Sequence, residues 1–112
     1  MDDRERRIVD VIVALGPGEV TTYGDVADVA GYPKRARLVG RILATTPLDV
    51  PWWRVVNVNG RLVPGHEREQ AQLLRAEGVV VRAGRVRSAP IGRFTRPPDG
   101  PEPIQNQVRR RP

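Results

Sequence analysis

The sequence contains no cysteine in 112 residues, which excludes disulfide scaffolds, thiolate zinc sites and cysteine nucleophiles at once. Aromatic residues number only five, and lysine is nearly absent, since 18 of the 19 bases are arginine. No apolar run approaches the roughly 20 residues needed to span a bilayer. The opening MDDRERRIVD mixes acids and bases and has no apolar core of the kind a signal peptide carries. These absences lead us to expect a cytoplasmic protein with no membrane partner. A chain of this length is expected to form one domain, burying about two-thirds of its unfolded surface without staples.

What is present is a strong positive charge, unevenly placed. The formal net charge is +6, but residues 1–31 sum to −4, residues 32–80 to +4 and residues 81–112 to +6. A basic middle and tail suit nucleic acid, although an arginine-dominated composition also arises from the codon usage of a GC-rich genome.

Hydrophobic spacing organises the first half into helices. Ile8, Val11, Ile12 and Leu15 recur at i, i+3, i+4 and i+7, predicting a helix over about 3–15 that ends at Gly16-Pro17-Gly18. Thr22 can cap a second helix through Asp25, and Gly31 can close it. Pro33 suits the first position of a third helix reaching about Ala44. Leu38, Val39, Ile42 and Leu43 share one side of it, with Lys34, Arg37 and Arg41 on the other. After Pro51, Val55, Val56 and Val58 lead into Asn59-Gly60, and Leu62-Val63 return, predicting a hairpin. A fourth helix over about 66–77 stops at Gly78, and Val79-Val80-Val81, Ala83-Gly84 and Val86 predict a second, smaller hairpin. From Thr95 on, five of eighteen residues are proline. Residues 1–94 are therefore expected to fold, and 95–112 to form a disordered Pro/Arg-rich tail.

The expected fold class is mainly α with small β hairpins, a winged helix-turn-helix-like single domain. Pattern alone fits both a DNA-reading helix pair and a plain structural one. Tyr23, Tyr32, Trp52 and Trp53 lie within a short stretch, and the adjacent Trp52 and Trp53 in extended chain would point to opposite faces, one toward the core and one toward a pocket. Two buried core indoles would fit equally well.

Three stretches carry a resemblance. They are Thr22-Tyr23-Gly24-Asp25-Val26-Ala27, then Gly31-Tyr32-Pro33-Lys34-Arg35-Ala36-Arg37-Leu38-Val39-Gly40, then Val50-Pro51-Trp52-Trp53-Arg54-Val55-Val56-Asn57. Together they resemble the DNA-binding domain of the O6-alkylguanine-DNA alkyltransferases. The likeness runs from about Ile8 to about Val81 and includes Leu73-Leu74-Arg75-Ala76-Glu77-Gly78. In that family the segment matching Pro51–Val55 reads Pro-Cys-His-Arg-Val, and its cysteine accepts the alkyl group. Tryptophan in the cysteine's place, as at Trp52, is the mark of the alkyltransferase-like proteins.

The resemblance implies roles residue by residue. Arg37 matches the arginine finger that fills the gap left by a flipped nucleotide, and Tyr23 matches the tyrosine that presses on the phosphate beside the target. Ala36 and Gly40 would let the helix approach a minor groove, while Lys34, Arg35 and Arg41 would bind DNA, chiefly at phosphates. Val50, Pro51, Trp52, Trp53 and Tyr23 would form the lesion pocket, with the 61–69 loop closing over it. The cysteine-histidine-carboxylate relay keeps only Glu77, which is therefore expected to be structural; Trp53 stands in the histidine's place. His66, the single histidine, reads as a surface loop residue without assigned chemistry.

The implied protein is a monomeric, non-enzymatic sensor of alkylated guanine in double-stranded DNA, nucleoid-associated, needing no cofactor or metal, and flagging lesions for nucleotide excision repair proteins. A winged-helix regulator reading undamaged DNA, or an enzyme acting on the flipped base, are the alternatives. Whether Arg109-Arg110-Arg111 binds DNA or serves solubility stays open; a salt slope would distinguish them.

Overall fold

The computed structural model describes residues 1–95, and Arg109-Arg110-Arg111 with the rest of the expected tail beyond Thr95 lie outside the described residues. Helix α1 (Asp3–Val13) begins where the Asp2 carboxylate accepts the Glu5 N–H at 2.8 Å, and it buries Ile8, Val9 and Ile12. Strand β1 (Glu19–Thr22) follows. Helix α2 (Tyr23–Ala30) starts at the predicted cap, with Thr22 Oγ1 accepting the Asp25 N–H at 3.1 Å. It closes at Gly31, whose φ of +94° belongs to the left-handed region; Tyr32 donates to Ala27 O at 2.8 Å and Gly31 to Asp28 O at 3.1 Å. This paired arrangement satisfies the last carbonyls and turns the chain sharply.

Helix α3 (Ala36–Thr45) starts later than Pro33 suggests. Lys34 adopts φ +66°, a left-handed conformation that no α-helix contains, so Pro33 and Lys34 belong to the turn. The α2–α3 pair is thus joined by residues 31–35.

A 3₁₀ turn over Trp52–Arg54 runs into strand β2 (Val55–Val56), followed by helix α4 (Glu67–Ala76) and strands β3 (Val80–Arg82), β4 (Arg85–Ser88) and β5 (Ile91–Gly92). Antiparallel β3 and β4 form the predicted smaller hairpin. The hairpin expected around Asn59-Gly60 is corrected: β2 pairs in parallel with β1, Thr21 opposite Val55 and Thr22 opposite Val56. Asn57 to Gly60 do form a tight turn, in which Asn57 Oδ1 accepts the N–H groups of Asn59 and Arg61. The returning chain leaves β2, however, and bonds to the β3–β4 hairpin through Val86 N–H to Gly60 O and Leu62 N–H to Gly84 O. β5 completes a three-stranded sheet of order β2-β1-β5. Gly92 lies so close to β1 that a Cβ there would stand 2.5 Å from Val20 O, a contact only glycine permits.

Two apolar clusters result. The first packs α1, α2 and α3 with Val50 and Val55; the second gathers Val20, Val56, Leu62, Leu74, Val79, Val81 and Val86 beneath α4. Trp52 packs against the first and Trp53 against the second, so the short 3₁₀ turn spans both. Gln70 of α4, fully buried, joins this seam to the helix. Its Nε2 donates to Trp53 O at 3.1 Å and Val55 O at 3.2 Å, and its Oε1 accepts the Val63 N–H at 2.7 Å. Gln70→Leu strands one buried and two part-buried backbone groups and is expected to cost about 2 kcal/mol in urea unfolding.

Candidate functional site

Where α2, α3, the 3₁₀ turn and the start of α4 converge, they enclose a cavity of about 360 Å³, the size of a small-ligand site. It is half open to solvent and lined by Tyr23 at the start of α2, Gly40, Leu43 and Ala44 of α3, Trp52 of the 3₁₀ turn, and Val63, His66 and Glu69. Burial raises the Tyr23 hydroxyl above its ordinary pKa of 10.0, so the phenol stays a neutral hydrogen-bond donor. Gly40 lies beside that ring, where a Cβ would stand in ordinary contact with Tyr23 Cε1 at 4.0 Å. The Trp52 ring meets the Trp53 ring at 6.2 Å and 88°, and the His66 ring at 5.9 Å and 66°.

The expectation that Trp53 shares this pocket is corrected. Its indole turns to the second cluster, where Nε1 donates to Glu77 Oε2 at 2.9 Å. Val50 is buried in the first cluster, and neither it nor Pro51 lines the cavity.

Glu77 is an anchor, as expected of it. Besides Trp53 it accepts Arg54 Nε at 3.0 Å and Nη2 at 2.7 Å and the Gly18 N–H at 2.8 Å, while Arg54 Nη1 donates to Leu15 O at 2.7 Å. The Arg54 and Glu77 side chains are only 12% and 13% exposed. Burial pushes the carboxyl's pKa up, but the donors from Arg54, Gly18 and Trp53 outweigh it and hold the group below its usual 4.5. An indole N–H donates and cannot accept a proton, so Trp53 cannot relay a proton to Glu77.

The cations near the cavity are divided between α3, which carries Arg37 and Arg41 one turn apart, and the turn before it, which carries Lys34 and Arg35. Arg37, one turn before the cavity-lining Gly40 on α3, is exposed. Ala36, half-buried, precedes it, and Lys34 and Arg35 are exposed in the turn. Arg41 is further round, lining a separate depression with Asp2, Arg4 and Glu5 of the α1 start. Among the described residues none of these four cations is in a salt bridge.

A profile described as "6-O-methylguanine DNA methyltransferase, DNA binding domain" matches residues 3–79, the segment holding every cavity residue. The chain belongs to this family. The alkyltransferase-family domain is also 44% identical to the DNA base-flipping protein of Escherichia coli over 71% of its own length and 65% of that relative, so it spans just under two-thirds of that protein. It is 41% identical to the DNA base-flipping protein of Vibrio parahaemolyticus, over 72% of this chain and 85% of the relative. The crystal structure of Schizosaccharomyces pombe Atl1 in complex with damaged DNA containing O6-carboxymethylguanine superposes with a TM-score of 0.66 at 32% identity, covering 73% of this chain and 82% of that one. Four helices and small sheets in one domain are thus the fold these proteins share.

In this alkyltransferase-family domain, His66, Glu69, Leu43, Ala44 and Val63 line the cavity although the sequence does not single them out as site residues. For three of them the available signal is the 61–69 loop, which the resemblance places over the pocket. Leu43 and Ala44 read as helix surface and core until α2 is packed against α3.

Proposed function

We propose that this protein is a non-enzymatic sensor of O6-alkylguanine in duplex DNA. The observation that carries the reading is the cavity floored by Trp52 and walled by Tyr23, in a chain without any thiol. In a winged helix-turn-helix arrangement, α2 and α3 dock in the minor groove with β3–β4 as the wing. Ala36 and Gly40 allow close approach, while Lys34, Arg35 and Arg41 bind phosphates. Tyr23 and Arg37 drive the base out, Arg37 occupying the vacated stack. Alkylation at O6 removes the N1–H donor of guanine and lowers the cost of extrusion, so the pocket samples damaged guanine preferentially. Trp52, in the place of the alkyl-accepting cysteine, contacts the alkyl group and leaves it intact. The lasting, bent complex marks the lesion for nucleotide excision repair proteins.

A gel-shift titration of duplexes differing only in one O6-methylguanine tests this. We expect at least tenfold tighter binding of the modified duplex, a difference of about 1.4 kcal/mol, with neither an alkylated protein nor a released base in the mass spectrum. Equal affinity would sink the sensor reading and leave a regulator of undamaged DNA; an adduct or free base would establish an enzyme.

A further inference from the structure

We infer that Glu69 makes the pocket selective for the charge of the O6 substituent, admitting neutral and cationic groups and disfavouring anionic ones. The inference rests on the lesion-pocket reading above and specifies its substrate class. The cavity is otherwise built from apolar side chains, Gly40, a phenol, an indole and His66. Glu69, exposed at the edge of the site, is the one carboxylate on its lining. Gly65 and His66 precede its helix, and the helical neighbours three and four residues on, Gln72 and Leu73, carry no charge to offset it. Among the described residues it is in no salt bridge, in contrast to Glu77, whose charge is consumed by Arg54.

Arg37 does not neutralise it, because the sensor reading sends that guanidinium into the base stack. A flipped base between Tyr23 and Trp52 directs its O6 substituent into the space that Glu69 closes. There a second negative charge meets the exposed Glu69 carboxylate at the open side of the cavity, where solvent screens the repulsion to a modest but measurable size. The phosphates act differently on adducts of different charge, but equally in wild type and Glu69→Gln, so the substitution isolates the carboxylate.

Three adducts of similar size isolate the effect: O6-carboxymethylguanine (anionic), O6-carbamoylmethylguanine (neutral) and O6-(2-aminoethyl)guanine (cationic), in one duplex at one pH and salt, with the unmodified and O6-methyl duplexes as references. The full chain is expected to bind the carbamoylmethyl adduct about two- to fivefold tighter than the carboxymethyl adduct, with the aminoethyl adduct at least as tight. Glu69→Gln is expected to bring the carbamoylmethyl-to-carboxymethyl ratio toward one. Charge selection is overturned if the wild-type ratio is already one, or if it survives the substitution unchanged. If the adducts all bind alike but outcompete unmodified DNA, the sensor reading stands and only charge selection fails; if no adduct outcompetes unmodified DNA, both fall.

Discussion

Glu77→Ala is expected to lower the unfolding free energy by about 3 kcal/mol at neutral pH, since removing one member of a largely buried ion pair leaves the other uncompensated. Arg54 would keep only Leu15 O, and the Trp53 indole and Gly18 N–H would lose their acceptor. In a domain of this size that is a fall of roughly 12–24 °C in melting temperature. The same carboxylate gives the fold an acid sensitivity of definite sign. Its folded pKa lies below the ordinary 4.5, so its contribution is fully present above about that pH and is lost as pH falls through the folded value. Urea melts between pH 7 and pH 3 check this: wild type should lose stability steeply below 4.5, and Glu77→Gln, less stable at neutral pH, should lose less over that range. A Glu77→Gln curve parallel to wild type would remove Glu77 from the acid response.

Arg37→Ala is expected to erase the preference for O6-methylguanine, at least tenfold, while the melting temperature moves little. The side chain is exposed and takes part in none of the observed ion pairs, so the fold gives up nothing with it. Unstacking a base costs a few kcal/mol, which a side chain filling the gap offsets; Arg41, one turn further along α3, instead lines a separate depression with the start of α1. Arg41→Ala is the internal control: placed away from the cavity mouth, it should weaken modified and unmodified duplexes alike and flatten the salt dependence. If Arg37→Ala behaves as Arg41→Ala does, Arg37 is a phosphate contact and the finger assignment fails.

Elements governed by neighbouring residues are legible in the sequence. The Thr22–Asp25 cap and the Gly31 stop delimit α2 because each is a hydrogen bond or a φ requirement within one turn, and β3–β4 is legible because its strands are joined by two residues. Pairings between distant segments are not. β2 reads as half of a hairpin because its true partner, β1, lies more than thirty residues earlier. Gln70 reads as one more polar residue on a polar helix until Trp53, Val55 and Val63 are brought around it.

The site divides in the same way. Its chemistry is written in the chain: no thiol anywhere, indoles at 52 and 53, an arginine at 37, and motifs specific enough to identify the family. Which indole faces the pocket is a matter of packing, since a 3₁₀ turn, unlike a strand, fixes no alternation and its two rings follow whichever cluster each packs against. Packing also brings Glu69 and His66 to the cavity wall, because α4 reaches α3 only through the seam that Gln70 and Glu77 hold together.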